Sequence, residues 1–176
     1  MGLAAELEYT YRRPNFFHRT MQAFAETRFG AWFFAKTLAR MDRVLAKLTH
    51  DRVTVPAVMA RLPVLVLTST GRKSGQLRET HLIAVPFRDT LALLGTNFGQ
   101  PKTPAWVLNL EDEPRAKVAH HGITRDVVAR PADATERAQI LADSPRYYGG
   151  YVKYQQRITG RTVRIFVLEP ASHPVA

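Results

Sequence analysis

From Pro63 onward, apolar and polar positions alternate in short runs bounded by turn residues, the period-two pattern of strands with one buried face. Six such runs, at residues 64–68, 80–87, 91–96, 115–120, 123–129 and 163–168, predict six antiparallel strands. Arg88-Asp89-Thr90 and His121-Gly122 are short enough to be hairpin connections, so most neighbouring strands should pair directly. Two helical segments interrupt the series. One begins near Pro104 and covers residues 105–110; the other begins at Asp133, where Asp133-Ala-Thr-Glu136 reads as a capping box. The pattern predicts an α+β, barrel-like antiparallel domain over residues 55–176.

Before Thr54 the period changes to three and four. Residues 15–48 read as two helices, with Asn15 an N-cap and Gly30 the break. In the second, Ala31, Phe34, Leu38, Met41, Leu45 and Leu48 share one side, while Lys36, Arg40, Arg43 and Lys47 share the other. Residues 1–54 are therefore expected to form an N-terminal helical extension. Its basic face, with Trp32 and Phe33 near one end, fits either a helix packed on its own domain or reversible contact with an anionic membrane surface.

Charge sharpens this picture. The 176 residues carry a formal net charge of +10, which points to an anionic partner: a phosphorylated cofactor, an anionic membrane or nucleic acid. Recognition helices, RNP motifs and zinc fingers are absent from the sequence, so nucleic acid is not expected. With no cysteine, disulfides, thiol catalysis and thiolate metal sites are excluded, and a reducing cytoplasm is compatible. The six histidines are scattered without ligand spacing, so no metal is expected either. A signal core or membrane-spanning run is not apparent, which predicts a cytoplasmic protein, soluble or attached at the membrane's cytoplasmic face. Nothing in the pattern fixes an oligomeric state.

The chemistry concentrates in three segments. In Leu67-Thr-Ser-Thr-Gly-Arg-Lys-Ser-Gly-Gln-Leu-Arg78 a strand runs into a turn with Gly71 and Gly75, where Arg72, Lys73, Ser74 and Arg78 supply charge-assisted donors for a phosphate or carboxylate. The glycine spacing is not that of a P-loop, and a solvated basic turn with no ligand carries the same residues. The connection from Thr96 to Trp106 places Asn97, Lys102 and hydroxyl donors beside Phe98 and Trp106, as a pocket for a planar heterocycle requires; as a plain connector, it would leave Trp106 in the core. In Tyr147-Tyr-Gly-Gly-Tyr-Val-Lys-Tyr154, Tyr147, Tyr151 and Tyr154 fall on one helical side, an arrangement that also serves ordinary packing. Neither a Rossmann glycine motif nor a nucleophile elbow appears.

Taken in order, residues 67–78, Asn97-Phe-Gly-x-Pro-Lys-x-Pro-Ala-Trp106, Asn109-Leu and Val163-x-Ile-Phe-Val-Leu-Glu-Pro170 resemble the deazaflavin-dependent nitroreductase and quinone reductase family. The resemblance implies a split β-barrel and coenzyme F-420, with flavin mononucleotide the alternative used by related barrels. It implies that Arg72, Lys73, Ser74, Gly75 and Arg78 hold the cofactor's phosphate and acidic tail, and that Thr96, Asn97, Lys102, Trp106 and Asn109 wall its ring. Tyr148, Tyr151 and Tyr154 would line the substrate side, one of them delivering a proton. The implied reaction is hydride transfer to a quinone, enone or nitro compound. A non-catalytic barrel binding lipid or cofactor at a membrane is the competing reading. Two positions depart from the family pattern: His81 stands where many members carry proline, and Asn97 where some carry lysine.

Overall fold

A computed structural model describes residues 2–11 and 62–171. The two helices expected at 15–48, including the basic face, lie outside the described residues. The chain begins with a short helix, α1 (Leu3–Glu6), and continues through β1 (Leu65–Thr70), β2 (Leu77–Leu82), β3 (Ala84–Phe87) and β4 (Thr90–Leu94). Helix α2 (Ala105–Asp112), β5 (Arg115–His120), β6 (Ile123–Pro131), α3 (Ala134–Asp143), α4 (Gly150–Arg157) and β7 (Ile165–Pro170) complete it.

All strand pairs are antiparallel, in the order β2-β1-β5-β6-β7-β4-β3. The sheet curls into a split barrel and has seven strands where the pattern predicts six. The extra strand arises because the expected run 80–87 is divided at Ile83. Residues before Ile83 pair with β1 and those after it with β4, so consecutive strands stand at opposite edges of the sheet. Pro86 is tolerated on β3 because an edge strand can do without one ladder donor.

Turn chemistry matches the sequence closely. Arg88 (φ 54°) and His121-Gly122 (φ 50° and 84°) supply the left-handed conformations that two-residue hairpins need. At the start of α3, Asp133 accepts from the Glu136 amide at 2.8 Å while Glu136 accepts from the Asp133 amide at 3.1 Å, the expected capping box.

Two apolar clusters hold the fold. Alternation places Leu65, Leu67, Leu91, Leu93, Phe166 and Leu168 in the first cluster, with Trp106 and Leu110 of α2. The opposite face of β3, β4 and β7 sends Val85, Leu94, Ile165 and Val167 into the second, against Ile140 of α3 and Tyr151 and Tyr154 of α4. Strands β4 and β7 are thus buried on both faces, which explains their nearly continuous apolar sequences.

Residues 2–11 pack against the barrel. Leu3, Leu7 and Tyr9 are buried in the first cluster, and Glu6 pairs with Arg125 of β6 at 2.8 Å. Tyr9 donates to the Pro63 carbonyl at 2.8 Å and accepts from the Ala84 amide at 2.8 Å, while Tyr11 donates to the Ala84 carbonyl at 2.7 Å. These hydroxyls satisfy backbone groups at the corner where the chain leaves β2 for β3.

Candidate functional site

The β1–β2 connection folds back on itself. Gly71 donates to the Gln76 carbonyl at 2.8 Å, and the amides of Ser74 and Gly75 both donate to the Gly71 carbonyl, at 3.0 and 2.7 Å. Gly75 sits at φ +66°, and a Cβ on Gly71 would lie 3.0 Å from both the Gln76 carbonyl and Ser74 Oγ. One glycine serves conformation, the other space. With the backbone wound this tightly, Arg72, Lys73 and Ser74 are exposed. Arg78 shares a sheet face with Ser69, its register partner, and reaches Gln76 Oε1 at 3.3 Å.

Asn109 fixes this turn from below. Buried on α2, it accepts from the Arg72 amide through Oδ1 at 3.2 Å and donates from Nδ2 to Ser69 Oγ at 3.3 Å. Its side chain thus ties helix, strand and turn together. The family resemblance marks Asn109 as a candidate; that its amide is held by the turn and by Ser69 depends on the packing of α2 against β1.

The cations of this turn differ from most others on the surface. Arg115 pairs with Glu113, Lys117 with Asp126, Arg125 with Glu6, Arg130 with Glu136 and Glu169, and Arg164 with Glu111. Among the described residues no carboxylate pairs with Arg72, Lys73, Arg78 or Lys102. Uncompensated positive charge on a glycine turn is a donor set of the kind that suits an anion.

The β4–α2 connection is the second element. Asn97, Phe98 and Gly99 are consecutively left-handed, at φ 48°, 54° and 79°. Asn97 Nδ2 donates to the Lys102 carbonyl at 2.8 Å, while the Lys102 side chain is exposed. Thr96 is buried. Phe98 is partly exposed and meets the ring of Tyr154 edge-on, centroids 6.0 Å apart. Trp106 is buried in the first cluster, its ring 6.1 Å from that of Phe166, so the indole anchors α2 to the barrel.

Tyr148, Tyr151 and Tyr154 belong to the second cluster and are almost fully buried. The hydroxyls of Tyr148 and Tyr154 bond to one another at 2.9 Å, and Tyr151 donates to the Ile83 carbonyl at 2.8 Å. Burial pushes the Tyr151 hydroxyl well above its ordinary pKa, with Tyr9 and Tyr154 nearby adding to the effect. Tyr151 therefore stays protonated, and its hydrogen is directed at the β2–β3 corner. His81 Nε2 lies buried with no hydrogen-bond partner among the described residues.

The structure thus groups the sequence-derived candidates in three sets: Arg72 and Arg78 around Ser69, Ser74 and Asn109; Asn97 with Lys102; and the tyrosines together. Phe98 joins the last two. Sequence reasoning missed Ser69, Tyr9 and Arg161, whose partners are backbone groups or residues distant in the chain. Among the described residues there is no cluster of histidine and carboxylate groups suited to a metal ion, and no helix long and apolar enough to cross a membrane.

The chain is similar to several known proteins. The profile of a family described as F420H(2)-dependent quinone reductase matches residues 41–170. A Mycobacterium tuberculosis protein put forward as an F420H(2)-dependent quinone reductase is 28% identical over 111 residues, covering 62% of this chain and 91% of that protein. An F420H(2)-dependent quinone reductase from the same organism is 29% identical over 111 residues, covering 60% of this chain and 72% of its own. Among solved structures, that of an F420-H2 dependent reductase, FDR-A, superposes with a TM-score of 0.54 at 30% identity, over 61% of this chain and 94% of that one.

Proposed function

The chain belongs to the F420H(2)-dependent quinone reductase family, and from that premise we propose that it uses reduced deazaflavin coenzyme F-420 to reduce a quinone. It is an oxidoreductase by family. The observation that carries the cofactor assignment is the glycine turn with its cations unpaired among the described residues, a donor set fitted to a phosphate and a polycarboxylate tail. Family membership favours the deazaflavin over flavin mononucleotide.

When bound, the coenzyme supplies the hydride; a quinone that takes up one hydride and one proton becomes a hydroquinone. The chain's own residues bind and orient. Lys73 and Arg72 attract the acidic tail as exposed cations, and Arg78, steadied by Gln76, offers a planar donor. Asn109 holds the Arg72 amide, and through it the turn, in place. Asn97 and Phe98 are the candidates to flank the ring. The bonded hydroxyl pair of Tyr148 and Tyr154, or water, is the candidate proton source. Enones and nitro compounds are further hydride acceptors of the same kind, with His81 and Asn97 favouring quinones over nitro compounds.

Equilibrium titration of the purified protein with coenzyme F-420 and with flavin mononucleotide, side by side, tests the first half. Oxidation of the reduced coenzyme by a soluble naphthoquinone tests the second. Preference for flavin mononucleotide, or binding without turnover, would overturn the reading.

A further inference from the structure

Arg161 lies in the polar stretch between α4 and β7, where nothing in the sequence distinguishes it. Its guanidinium is directed at backbone oxygens. Nη1 donates to the Gly95 carbonyl at 2.9 Å, Nη2 to the carbonyls of Thr96 and Gln100 at 3.0 Å each, and Nε to Gln100 again at 3.3 Å. Among the described residues no carboxylate pairs with it, and burial lowers its pKa, with Arg164 nearby adding to the effect. A guanidinium bonded to three carbonyls of one loop constrains the shape of that loop.

The loop needs such a constraint. Left-handed backbone at Asn97 and Phe98 is unfavourable for residues with side chains, and within the loop it is backed only by two turn bonds, Gly99 to Thr96 and Gln100 to Asn97, and by Asn97 Nδ2 on the Lys102 carbonyl. The same loop is pressed against α4: a Cβ on Gly99 would lie 3.1 Å from Arg157 Cβ and 3.2 Å from Tyr154 Cα. Phe98 meets Tyr154 from this position. We infer that Arg161 is a positioning residue, locking the Gly95–Gln100 loop in its left-handed form so that Asn97 and Phe98 flank the candidate cofactor site while resting on the tyrosine helix. It acts through the loop and touches neither coenzyme nor acceptor. This inference rests on the proposed cofactor reading for its functional half only.

The test uses the full chain and the variants Arg161→Met and Arg161→Lys. Lysine keeps the charge but concentrates its donors on one nitrogen, which cannot span three carbonyls. Amide hydrogen exchange in residues 95–102 should rise about tenfold or more in Arg161→Met, with a smaller rise in Arg161→Lys, while the β5–β6 hairpin is unchanged. The dissociation constant for coenzyme F-420 should follow the same order, rising about tenfold in the methionine variant and less in the lysine variant. Unchanged exchange in the loop would overturn the inference, as would an equal rise across the whole barrel, which marks simple destabilisation. So would normal coenzyme binding in both variants. If the unaltered protein fails to bind the coenzyme, the proposed function falls, and the exchange measurement still decides whether Arg161 fixes the loop.

Discussion

The β1–β2 turn and the α4 tyrosines are both rich in polar side chains, and they treat them in opposite ways. At the turn, backbone bonds are closed internally and the cations are left exposed, without carboxylate partners among the described residues. Around α4, the hydroxyls are buried and bonded to one another or to the β2–β3 corner. Exposed charge with no partner is a resource for binding, whereas a buried hydroxyl with a partner fastens the fold whatever else it does. The difference teaches that polarity in a stripe or a turn indicates function only after its hydrogen bonds are traced.

The severest perturbation removes the N-terminal segment that packs into the first cluster, beneath both regions. Deleting residues 1–11 takes Leu3, Leu7 and Tyr9 out of the core. Three large buried side chains contribute roughly 5–9 kcal/mol, set against a total stability of about 5–15 kcal/mol. The deletion should leave no cooperative thermal transition by circular dichroism; a truncated protein that melts like the full chain would show this packing to be dispensable.

Next in size is the loss of charge at the turn. Replacing Lys73 and Arg78 together by alanine should weaken coenzyme F-420 binding about 100-fold, at about 1.5 kcal/mol per charged hydrogen bond. The melting temperature should not move, because both side chains are exposed and neither supports the core. Tyr151→Phe should do the reverse. It strips the Ile83 carbonyl of its donor and should cost about 1–3 kcal/mol in a urea titration, with coenzyme affinity unchanged. If Tyr151→Phe weakens binding as much as the alanine pair does, the two regions are one site.

Acid provides the mildest probe. Arg130 bonds both carboxylate oxygens of Glu136, at 2.6 and 2.9 Å, and holds its pKa near about 2, with the Asp133 amide assisting. A pKa depressed in the folded state stabilises above the ordinary value of 4.5 and loses that contribution as pH falls toward 2. Melting temperature should therefore decline between those values, and in Glu136→Gln the decline should be shallower, starting from a lower melting temperature at pH 7. Coenzyme binding by the turn involves no such pair. Parallel acid profiles for the protein and the glutamine variant would show that α3 is held by apolar contact alone.

Much of this architecture was legible because it is local. Asp133 and Glu136 mark their helix start, Gly122 marks its hairpin, and the glycines and cations of residues 71–78 announce an exposed turn. The division of the run 80–87 at Ile83 was not legible, since both halves are strand-like and only their partners differ. The same holds for Arg161 and Tyr9, whose partners lie more than fifty positions away, and for the tyrosine hydroxyls, whose stripe was visible and whose acceptors were not.

Strand β7 has a consequence for how the chain acquires its shape. Among the described residues it is the one strand that joins the β2-β1-β5-β6 sheet to the β4-β3 pair, bonding to β6 on one side and β4 on the other. A chain emerging from the ribosome can form each piece early, yet cannot join them until Ile165–Pro170 has been released. Until then β6 and β4 present unpaired apolar edges, the hazard that makes late-closing sheets prone to aggregation. This strand is thus the keystone of synthesis, and a message truncated before it yields two half-walls hinged at Ile83 with no strand to bridge them.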